Sequence, residues 1–173
     1  MTAHAISVRL AGQRDAQAIA LMSRDLVESG LGWKYDAARV LKAIRDPETL
    51  APVACDRGRI AGFAVMEFGD ERAHLVLLAV RPSHRRSGVG RRLVEWLLES
   101  ARCAGIASVH LELRAGNDAA RRFYRAMGFY ETVIVPGYYR SGEGRKEGAL
   151  RMLRVLRVPG PLPASWQPPR IEK

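Results

Sequence analysis

The residues of this chain best suited to bind a charged ligand lie between positions 77 and 98, which read LLAVRPSHRRSGVGRRLVEWLL. An apolar run precedes a turn that contains Gly88 and Gly90, and a helical pattern begins inside that turn. The first backbone amides of a helix have no intrahelical acceptor, and the helix dipole adds partial positive charge there. Glycine permits close approach of the backbone, and the turn is surrounded by Arg81, Arg85, Arg86, Arg91 and Arg92. This segment therefore predicts a phosphate-binding turn.

Two common phosphate-binding motifs do not fit this turn. The G-x-x-x-x-G-K-[ST] pattern of a Walker loop is missing, and the dinucleotide fingerprint G-x-G-x-x-G fails at Leu93. An ordinary helix start on a basic surface is the alternative interpretation of the same residues. Spacing alone does not decide between the two.

The elements that must position the turn form a strand–helix–strand unit. Residues 74–80 are a nearly continuous apolar run, typical of a strand buried on both faces. The helix after the turn ends at Gly105, and residues 108–114 then alternate apolar and polar side chains. Such a unit implies two parallel strands with a right-handed crossover. Asn117 is expected to cap a further helix that runs to Met127.

The remaining patterns complete a single α/β domain over residues 1–158. Alternation or apolar runs predict further strands at 6–10, 50–55, 59–68, 129–135 and 149–158. Helices are expected at 13–28 and, capped by Asp36, up to residue 45, and a glycine-rich loop is expected at 137–148. Residues 159–173 are rich in proline and predict a flexible tail.

The charge of the chain is strongly positive and unevenly distributed. The formal net charge is +10, and the whole excess lies after residue 75, which suggests a polyanionic ligand such as nucleic acid or a phosphorylated small molecule. The arginine clusters are not interleaved with aromatic residues on strands, and no helix-turn-helix or zinc pattern is present in the sequence. A nucleic-acid partner is therefore not expected.

Other features of the composition exclude further classes of protein. Two cysteines, Cys55 and Cys103, are too few for a disulfide framework, no Cys/His spacing indicates zinc, and no metal is expected. Neither cysteine belongs to a local arrangement of His and Asp that would support an acyl-enzyme. No apolar run approaches the roughly 18 residues that cross a bilayer. We expect a cytoplasmic protein without membrane contact.

The turn itself resembles a known signature. Residues 85–90, RRSGVG, look like the R/Q-x-x-G-x-G/A signature of the GNAT N-acetyltransferase superfamily, whose members bind the pyrophosphate of acetyl-CoA there. The order of predicted elements over residues 6–157 is also the order in that superfamily. The resemblance implies an α/β GNAT fold: a mixed, mostly antiparallel sheet of about seven strands with a central parallel βαβ unit and flanking helices.

A second segment narrows the resemblance. Residues 111–132, LELRAGNDAARRFYRAMGFYET, are similar to the corresponding region of the RimI-type ribosomal-protein alanine acetyltransferases. This similarity implies that Glu112 is the general base and Tyr124 the general acid. It also implies that the residues that bind acetyl-CoA are Leu78, Ala79, Val80, Arg85, Arg86, Ser87, Gly88, Val89, Gly90, Arg91 and Asn117.

Without the resemblance, the two candidate catalytic residues would have simpler interpretations. Glu112 would be a strand glutamate paired with an arginine such as Arg114, and Tyr124 a core aromatic beside Phe123. His74 lies at the start of the strand before the turn, where other members of the superfamily place a catalytic carboxylate. His74 is therefore the alternative base, and a partly exposed strand-end histidine otherwise.

The resemblance implies direct transfer of an acetyl group from acetyl-CoA to a primary amine in a ternary complex. Near pH 7.4 an α-amine costs less than about 1 kcal/mol to deprotonate and a lysine about 4 kcal/mol, which favours a protein or peptide N-terminus. A small amine (a polyamine, aminosugar or amino acid) and a catalytically silent acetyl-CoA-binding module are the alternatives. Expected partners are acetyl-CoA and the amine acceptor, with a homodimer as a further option.

The departures from the RimI-type pattern concern the acceptor. Glu147-Gly148 stands where Glu-Asp is usual, and Gly32-Trp33 stands where an aromatic residue and proline are usual. Trp33 and Tyr35 either line the acceptor site or anchor the connection between the first two helices.

Overall fold

The computed structural model describes residues 6–157 of the chain. Its strands are β1 (Ser7–Leu10), β2 (Thr49–Leu50), β3 (Pro52–Asp56), β4 (Arg59–Phe68), β5 (Arg72–Val80), β6 (Ser108–Arg114), β7 (Tyr130–Arg140) and β8 (Lys146–Val155). Its α-helices are α1 (Ala16–Leu26), α2 (Ala37–Arg45), α3 (Val89–Cys103) and α4 (Asp118–Ala126), with short 3-10 segments at Gln13–Asp15 and Pro82–His84.

All eight strands belong to one sheet. Their order is β1-β3-β4-β5-β6-β8-β7, and β2 pairs separately with β4. Every pairing is antiparallel except that of β5 with β6, which α3 connects. The predicted mixed sheet with a central parallel βαβ unit is confirmed. The eighth strand arises because the strand expected at 50–55 divides at Ala51, so that β2 pairs with β4 alone.

The parallel pairing of β5 with β6 is short. It joins Arg72 to Ser108, Ala73 to Val109 and His74 to His110, and it stops there. Beyond this point β5 continues beside β4 as far as Val80, and β6 continues beside β8 as far as Arg114. We call the space between residues 75–80 of β5 and residues 111–114 of β6 the fork.

An irregularity in β5 marks the start of the fork. Val65 of β4 pairs with Leu77 and Met66 with Leu75, so Val76 is an extra residue in β5. Leu75 packs into the hydrophobic cluster beneath α3, whereas Val76 and Leu77 both pack into the cluster beneath α1 and α2. Two consecutive side chains on one face are the mark of a β-bulge, which bends the strand that carries it.

The helices form where their sequence signals predict them. The Asp36 side chain accepts a hydrogen bond from the Arg39 amide and caps α2, and Asn117 caps α4 in the same way through the Ala120 amide. The apolar stripe of α3 is buried as expected, and it consists of Val89, Leu93, Val94, Leu97, Leu98 and Ala101. None of the described helices combines the length and the apolarity needed to cross a bilayer.

The loop expected at 137–148 is shorter in the structure. β7 extends to Arg140 and β8 begins at Lys146, which leaves residues 141–145 as the connection. Pro136 and Gly137 look like strand breakers in the sequence, but a register shift between Val135 and Tyr139 accommodates them without ending the strand. Two other element boundaries differ from the predicted ones. The helix expected from residue 13 begins with a 3-10 turn, and β5 starts at Arg72 rather than at position 74. The tail predicted at 159–173 lies outside the described residues.

Gly62 on β4 sets how closely α3 approaches the sheet. A Cβ atom at this position would lie 2.9 Å from the Ala79 carbonyl oxygen, 3.0 Å from Val89 Cγ1 and 3.2 Å from Leu93 Cδ1. The first of these contacts is with backbone and cannot be relieved by a change of rotamer. A side chain at Gly62 would therefore push α3 and the C-terminal end of β5 apart.

We expect Gly62→Ala to lower the free energy of unfolding by about 1–3 kcal/mol, because the added methyl group overpacks the contact between β4, β5 and α3. Urea denaturation monitored by circular dichroism measures the change. Gly32→Ala is the matched control, since a Cβ there meets nothing within 4 Å, and it should stay within about 0.5 kcal/mol of the parent. Equal stability of the two variants would contradict this account of the packing.

Candidate functional site

The turn between β5 and α3 has the geometry of an anion-binding site. Arg86 and Gly88 both adopt positive φ, +66° and +83°, and Gly88 is the N-cap of α3. The Arg92 amide donates to the Gly88 carbonyl at 3.0 Å, as the first hydrogen bond of the helix. The amides of Val89, Gly90 and Arg91 come before that bond and have no intrahelical acceptor. The turn therefore presents backbone donors and the positive end of the α3 dipole.

Polar contacts fix the conformation of this turn. The Ser87 hydroxyl donates to the His84 carbonyl at 2.5 Å, and Arg85 Nε lies 3.4 Å from the Val80 carbonyl. His84 Nε2 lies 3.1 Å from Asp56 Oδ2, and Arg81 Nε donates to a β4 carbonyl at 2.7 Å. The turn is thus tied both to its own strand and to the β3–β4 hairpin.

α4 packs against the turn at Gly90, at a distance where a Cβ would make ordinary van der Waals contact. A Cβ at Gly90 would lie 3.4 Å from Cζ of Phe123, on α4. The Arg85, Arg86, Arg91 and Arg92 side chains around the turn are exposed. Arg92 donates to the Ile6 carbonyl at 2.8 Å and Arg91 lies 3.5 Å from Glu95, while Arg86 forms no side-chain hydrogen bond or ion pair with the residues described.

Glu112 lies at the other side of the fork, on β6, with both carboxylate oxygens occupied. Its Oε2 lies 2.6 Å from Nε2 of His74 on β5, and its Oε1 accepts from Nε of Arg151 on β8 at 2.8 Å. The Glu112 side chain is 6% exposed. The hydrogen bond from His74, aided by that from Arg151, outweighs burial and lowers the pKa of Glu112 to about 2. Glu112 is therefore ionised throughout the physiological range.

His74 and His110 stack face to face, with ring centroids 4.4 Å apart and planes 7° from parallel. Burial, followed by the neighbouring His74, lowers the pKa of His110, so this ring is neutral at pH 7. With Glu112, the two histidines place three potential metal ligands within 4.8 Å of one another. Parallel rings direct their lone pairs side by side rather than toward one point, and Glu112 is already bonded to Arg151. The cluster as it stands is thus not preformed for a metal ion.

Tyr124 is buried on α4, which packs against the turn through Phe123. Its ring makes edge contacts with Phe123 and Phe129, at centroid distances of 5.1 and 5.6 Å. Burial, with a smaller effect of Tyr139, raises the pKa of Tyr124 above its ordinary value of 10.0, so its hydroxyl keeps its proton. Among the residues described, the hydroxyl forms no side-chain hydrogen bond.

The connection between α1 and α2 is built around a buried carboxylate. Glu28 accepts from the Ser23 hydroxyl at 2.9 Å and from the amides of Lys34 and Tyr35 at 2.8 and 3.2 Å. Tyr35 is buried and anchors the connection, whereas Trp33 stays 43% exposed. Tyr35 therefore takes the anchoring role. Trp33 supports it, since its Nε1 donates to the Tyr35 carbonyl at 3.1 Å and Arg24 lies over its ring, and a role of Trp33 in lining the acceptor site stays a prediction.

This connection is joined to the β7–β8 hairpin. Leu31 and Ser141 form an isolated antiparallel bridge, and the Gly142 amide lies 3.3 Å from the Gly30 carbonyl. Arg114 was the arginine expected from the sequence to pair with Glu112, but its side chain donates to the Ser29 carbonyl at 2.5 Å. The partner of Glu112 is Arg151.

The same arrangement of strands and helices occurs in solved acetyltransferases. The crystal structure of the ribosomal-protein-S18-alanine N-acetyltransferase from Escherichia coli superposes with a TM-score of 0.78 at 26% identity, covering 90% of this chain and 97% of that one. A putative acetyltransferase from Salmonella typhimurium, solved with its cofactor acetyl-CoA, superposes with a TM-score of 0.77 at 21% identity, covering 92% and 99%. This second likeness shows the fold alone.

Sequence comparison agrees with the structural one. The chain is 36% identical over 98 residues to the bS18-alanine N-acetyltransferase of Escherichia coli K12, an alignment that covers 57% of this chain and 66% of that relative, just under two thirds. The family model described as "Acetyltransferase (GNAT) family" matches residues 19–129. The chain belongs to the GNAT acetyltransferase family. The family expected from residues 85–90 and 111–132 is thereby confirmed.

The structure places the predicted site residues in two groups. The turn residues 85–91 and the strand end 78–80 lie on one side of the fork, and Glu112 lies on the other. Asn117 uses its side-chain oxygen to cap α4, so a contact with the coenzyme stays a prediction, as do the other assigned roles. Sequence reasoning missed Arg151 and His110. The signal for Arg151 is its register opposite Glu112 in the β6–β8 pair.

Arg86→Gly separates backbone strain from ligand binding. A positive φ costs a residue with a side chain about 1–2 kcal/mol, a cost that glycine avoids at an entropic loss of about 0.5–1 kcal/mol. We expect the variant to unfold within about 1 kcal/mol of the parent but to bind acetyl-CoA about tenfold more weakly, because one charge-assisted hydrogen bond is lost. Calorimetry measures both quantities.

The matched control is Arg57→Gly, which changes the other described non-glycine residue with positive φ, +49°, in the β3–β4 turn. It should have the same small effect on stability and leave acetyl-CoA affinity unchanged. Equal affinities of the Arg86→Gly variant and the parent would mean that the pyrophosphate binds elsewhere.

Proposed function

We propose that this chain is an acetyl-CoA-dependent N-acetyltransferase that acetylates a primary amine by direct transfer in a ternary complex. The observation that carries the proposal is the fork itself, which separates an anion-binding turn and an open strand edge from a cluster of proton-transfer groups. Membership in the GNAT family and the 36% identity to the Escherichia coli enzyme support it. The acceptor we infer is the N-terminal α-amine of a protein or peptide.

In this proposal the coenzyme occupies the β5 side of the fork. Beyond His74 the edge of β5 that faces β6 has no strand partner among the residues described. The backbone of Leu78 to Val80 is thus available to bind the pantetheine arm, as an added strand would. Arg85 to Arg91 hold the pyrophosphate through amides and guanidinium groups. This places the thioester at the fork, with a β5 amide to stabilise the oxyanion.

The reaction needs one group that accepts a proton and one that donates a proton, and the chain has a candidate for each. The amine must lose a proton before it attacks, and the coenzyme thiolate must gain one when it leaves. Tyr124 keeps its proton at all physiological pH values and donates to the thiolate. The pair of Glu112 and His74 receives the proton of the amine.

Transfer without an acyl-enzyme agrees with the positions of the cysteines. Cys55 is buried in β3, and Cys103 is the last residue of the 15-residue helix α3. At 1.5 Å per residue, Cys103 lies about 20 Å along the helix from the turn. Neither thiol therefore meets the thioester.

The charge around the fork favours a peptide over a polyamine. Arg114 and Arg151 lie on the same face of the sheet as Glu112. Arg114 lies 3.8 Å from Glu147, and Arg151 is paired with Glu112 at 2.8 Å. Both carboxylates are thus already paired with an arginine, so this face offers no free negative charge that would attract a polycation. A silent acetyl-CoA-binding module has no need of the paired Glu112 and His74 or of Tyr124.

A panel of acceptors tests the function and the acceptor class together. The chain is incubated with acetyl-CoA and peptides with free α-amines, N-terminally blocked lysine peptides, polyamines, aminosugars or amino acids, and free thiol is measured. We expect turnover with α-amino peptides and little with the others. Turnover with small amines alone would select the metabolite alternative, and coenzyme binding without thiol release on any amine would select the silent module.

Tyr124→Phe should reduce kcat about a hundredfold while acetyl-CoA affinity stays almost unchanged, because the variant loses only the hydroxyl that protonates the thiolate. The loss should be similar at every pH from 6 to 9, since the hydroxyl of the parent does not ionise there. Tyr130→Phe, at an exposed position on β7, is the control and should retain the parent rate. Full activity of Tyr124→Phe would assign the acid role to water or to another group.

A further inference from the structure

Two groups at the fork could take the proton of the amine, and the geometry distinguishes them. Both oxygens of Glu112 are engaged, one by His74 at 2.6 Å and one by Arg151 at 2.8 Å. The Glu112 side chain is 6% exposed, whereas that of His74 is 30% exposed. An incoming amine can therefore reach the imidazole ring but finds the carboxylate covered.

The hydrogen bond to Glu112 also fixes which ring nitrogen of His74 is basic. An ionised carboxylate can only accept hydrogen bonds, so the proton between the two groups belongs to Nε2 of His74. In the neutral ring the lone pair then lies on Nδ1. This nitrogen forms no hydrogen bond with another residue of the described part of the chain.

From this geometry, and given the proposed acetyltransferase activity, we propose that Nδ1 of His74 is the base that deprotonates the acceptor amine, and that Glu112 is the positioning residue that orients the ring. Arg151 in turn holds Glu112, and the stacked ring of His110 keeps His74 in plane. The arrangement is that of an imidazole oriented by a carboxylate, with the two groups on neighbouring parallel strands.

The proton balance of the step is complete with the groups named. The acceptor ammonium gives one proton to Nδ1, and the resulting imidazolium is stabilised by Glu112. The free amine attacks the thioester carbonyl, a C–N bond forms, and collapse of the oxyanion breaks the C–S bond. The thiolate takes the proton of Tyr124, which regains one from the nitrogen of the new amide. His74 releases its proton to solvent before the next turnover.

The pH dependence follows from the charges around the ring. The titratable and charged groups that face His74 are Arg72 on its own strand β5, Glu67 on β4, His110 and Glu112 on β6, and Arg151 on β8. A base must be neutral, so the rate should fall at low pH as the imidazole becomes protonated. Removal of the Glu112 charge makes the imidazolium less stable, and the acid limb should then move to lower pH.

The test compares kcat against pH for His74→Gln and Glu112→Gln on the best acceptor of the panel. His74→Gln should lower kcat about a hundredfold. The acid limb that remains should move up to the pKa of the acceptor α-amine, about 7.7–8.0, because without a base only the free amine reacts. Glu112→Gln keeps an acceptor for Nε2, so it should cost less, about tenfold, and move the limb to lower pH. Glu99→Gln makes the same exchange at an exposed position of α3, away from the fork, and should keep the parent rate and profile within about twofold.

Two further measurements separate a chemical role from a structural one. Added imidazole should restore activity to His74→Ala, because the site is partly exposed. In ¹⁵N spectra of histidine-labelled protein, the signals that His74→Gln removes should show the neutral ring with its proton on Nε2.

The inference is overturned by a proton on Nδ1, by an acid limb that stays at the parent's pH in His74→Gln, or by a larger loss in Glu112→Gln than in His74→Gln. Absence of turnover on every amine defeats the proposed function and this inference with it. Turnover with an unchanged limb in His74→Gln defeats only the inference.

Discussion

An extra residue in one strand is the constraint on which the site depends. Val76 interrupts the alternation of β5 two residues after its last pairing with β6 at His74. The bulge bends β5 away, so β5 keeps β4 as a neighbour while β6 keeps β8, and the edge between them opens. A regular parallel pair would have filled that edge with hydrogen bonds. The turn at the end of β5 and the charged groups on β6 would then have faced no common space.

The two sides of the fork are stabilised in different ways. On the β5 side, Gly62 lets α3 approach the sheet, and the turn gains its donors from backbone. On the β6 side, the anion at Glu112 is stabilised by side chains from two neighbouring strands. The first arrangement leaves hydrogen-bond donors without an acceptor in the helix, and the second neutralises a charge that the chain itself carries.

The sequence predicts well what is local and apolar. The caps at Asp36 and Asn117, the stripe of α3 and the alternation of 108–114 agree with the structure, because each depends on neighbours within a few residues. The bulge at Val76 was not predicted, since one extra apolar residue in an apolar run leaves no periodic signal. The contact of Glu112 with Arg151 spans 39 positions and follows from the register of β6 and β8, which the sequence does not state. Pro136 and Gly137 led to the wrong prediction that the strand ends before residue 137, because a β-bulge within β7 tolerates both residues.

The anchoring of the α1–α2 connection bears on how such a protein can diversify. The Glu28 carboxylate accepts hydrogen bonds from the backbone amides of residues 34 and 35 and not from their side chains. Trp33 and the residues beside it can consequently be exchanged while the path of the chain is kept. Under the proposed function, the groups that transfer protons belong to other elements, so mutation of this segment would change acceptor preference without removing them. A descendant could acquire a new substrate through a few changes confined to one short stretch of chain.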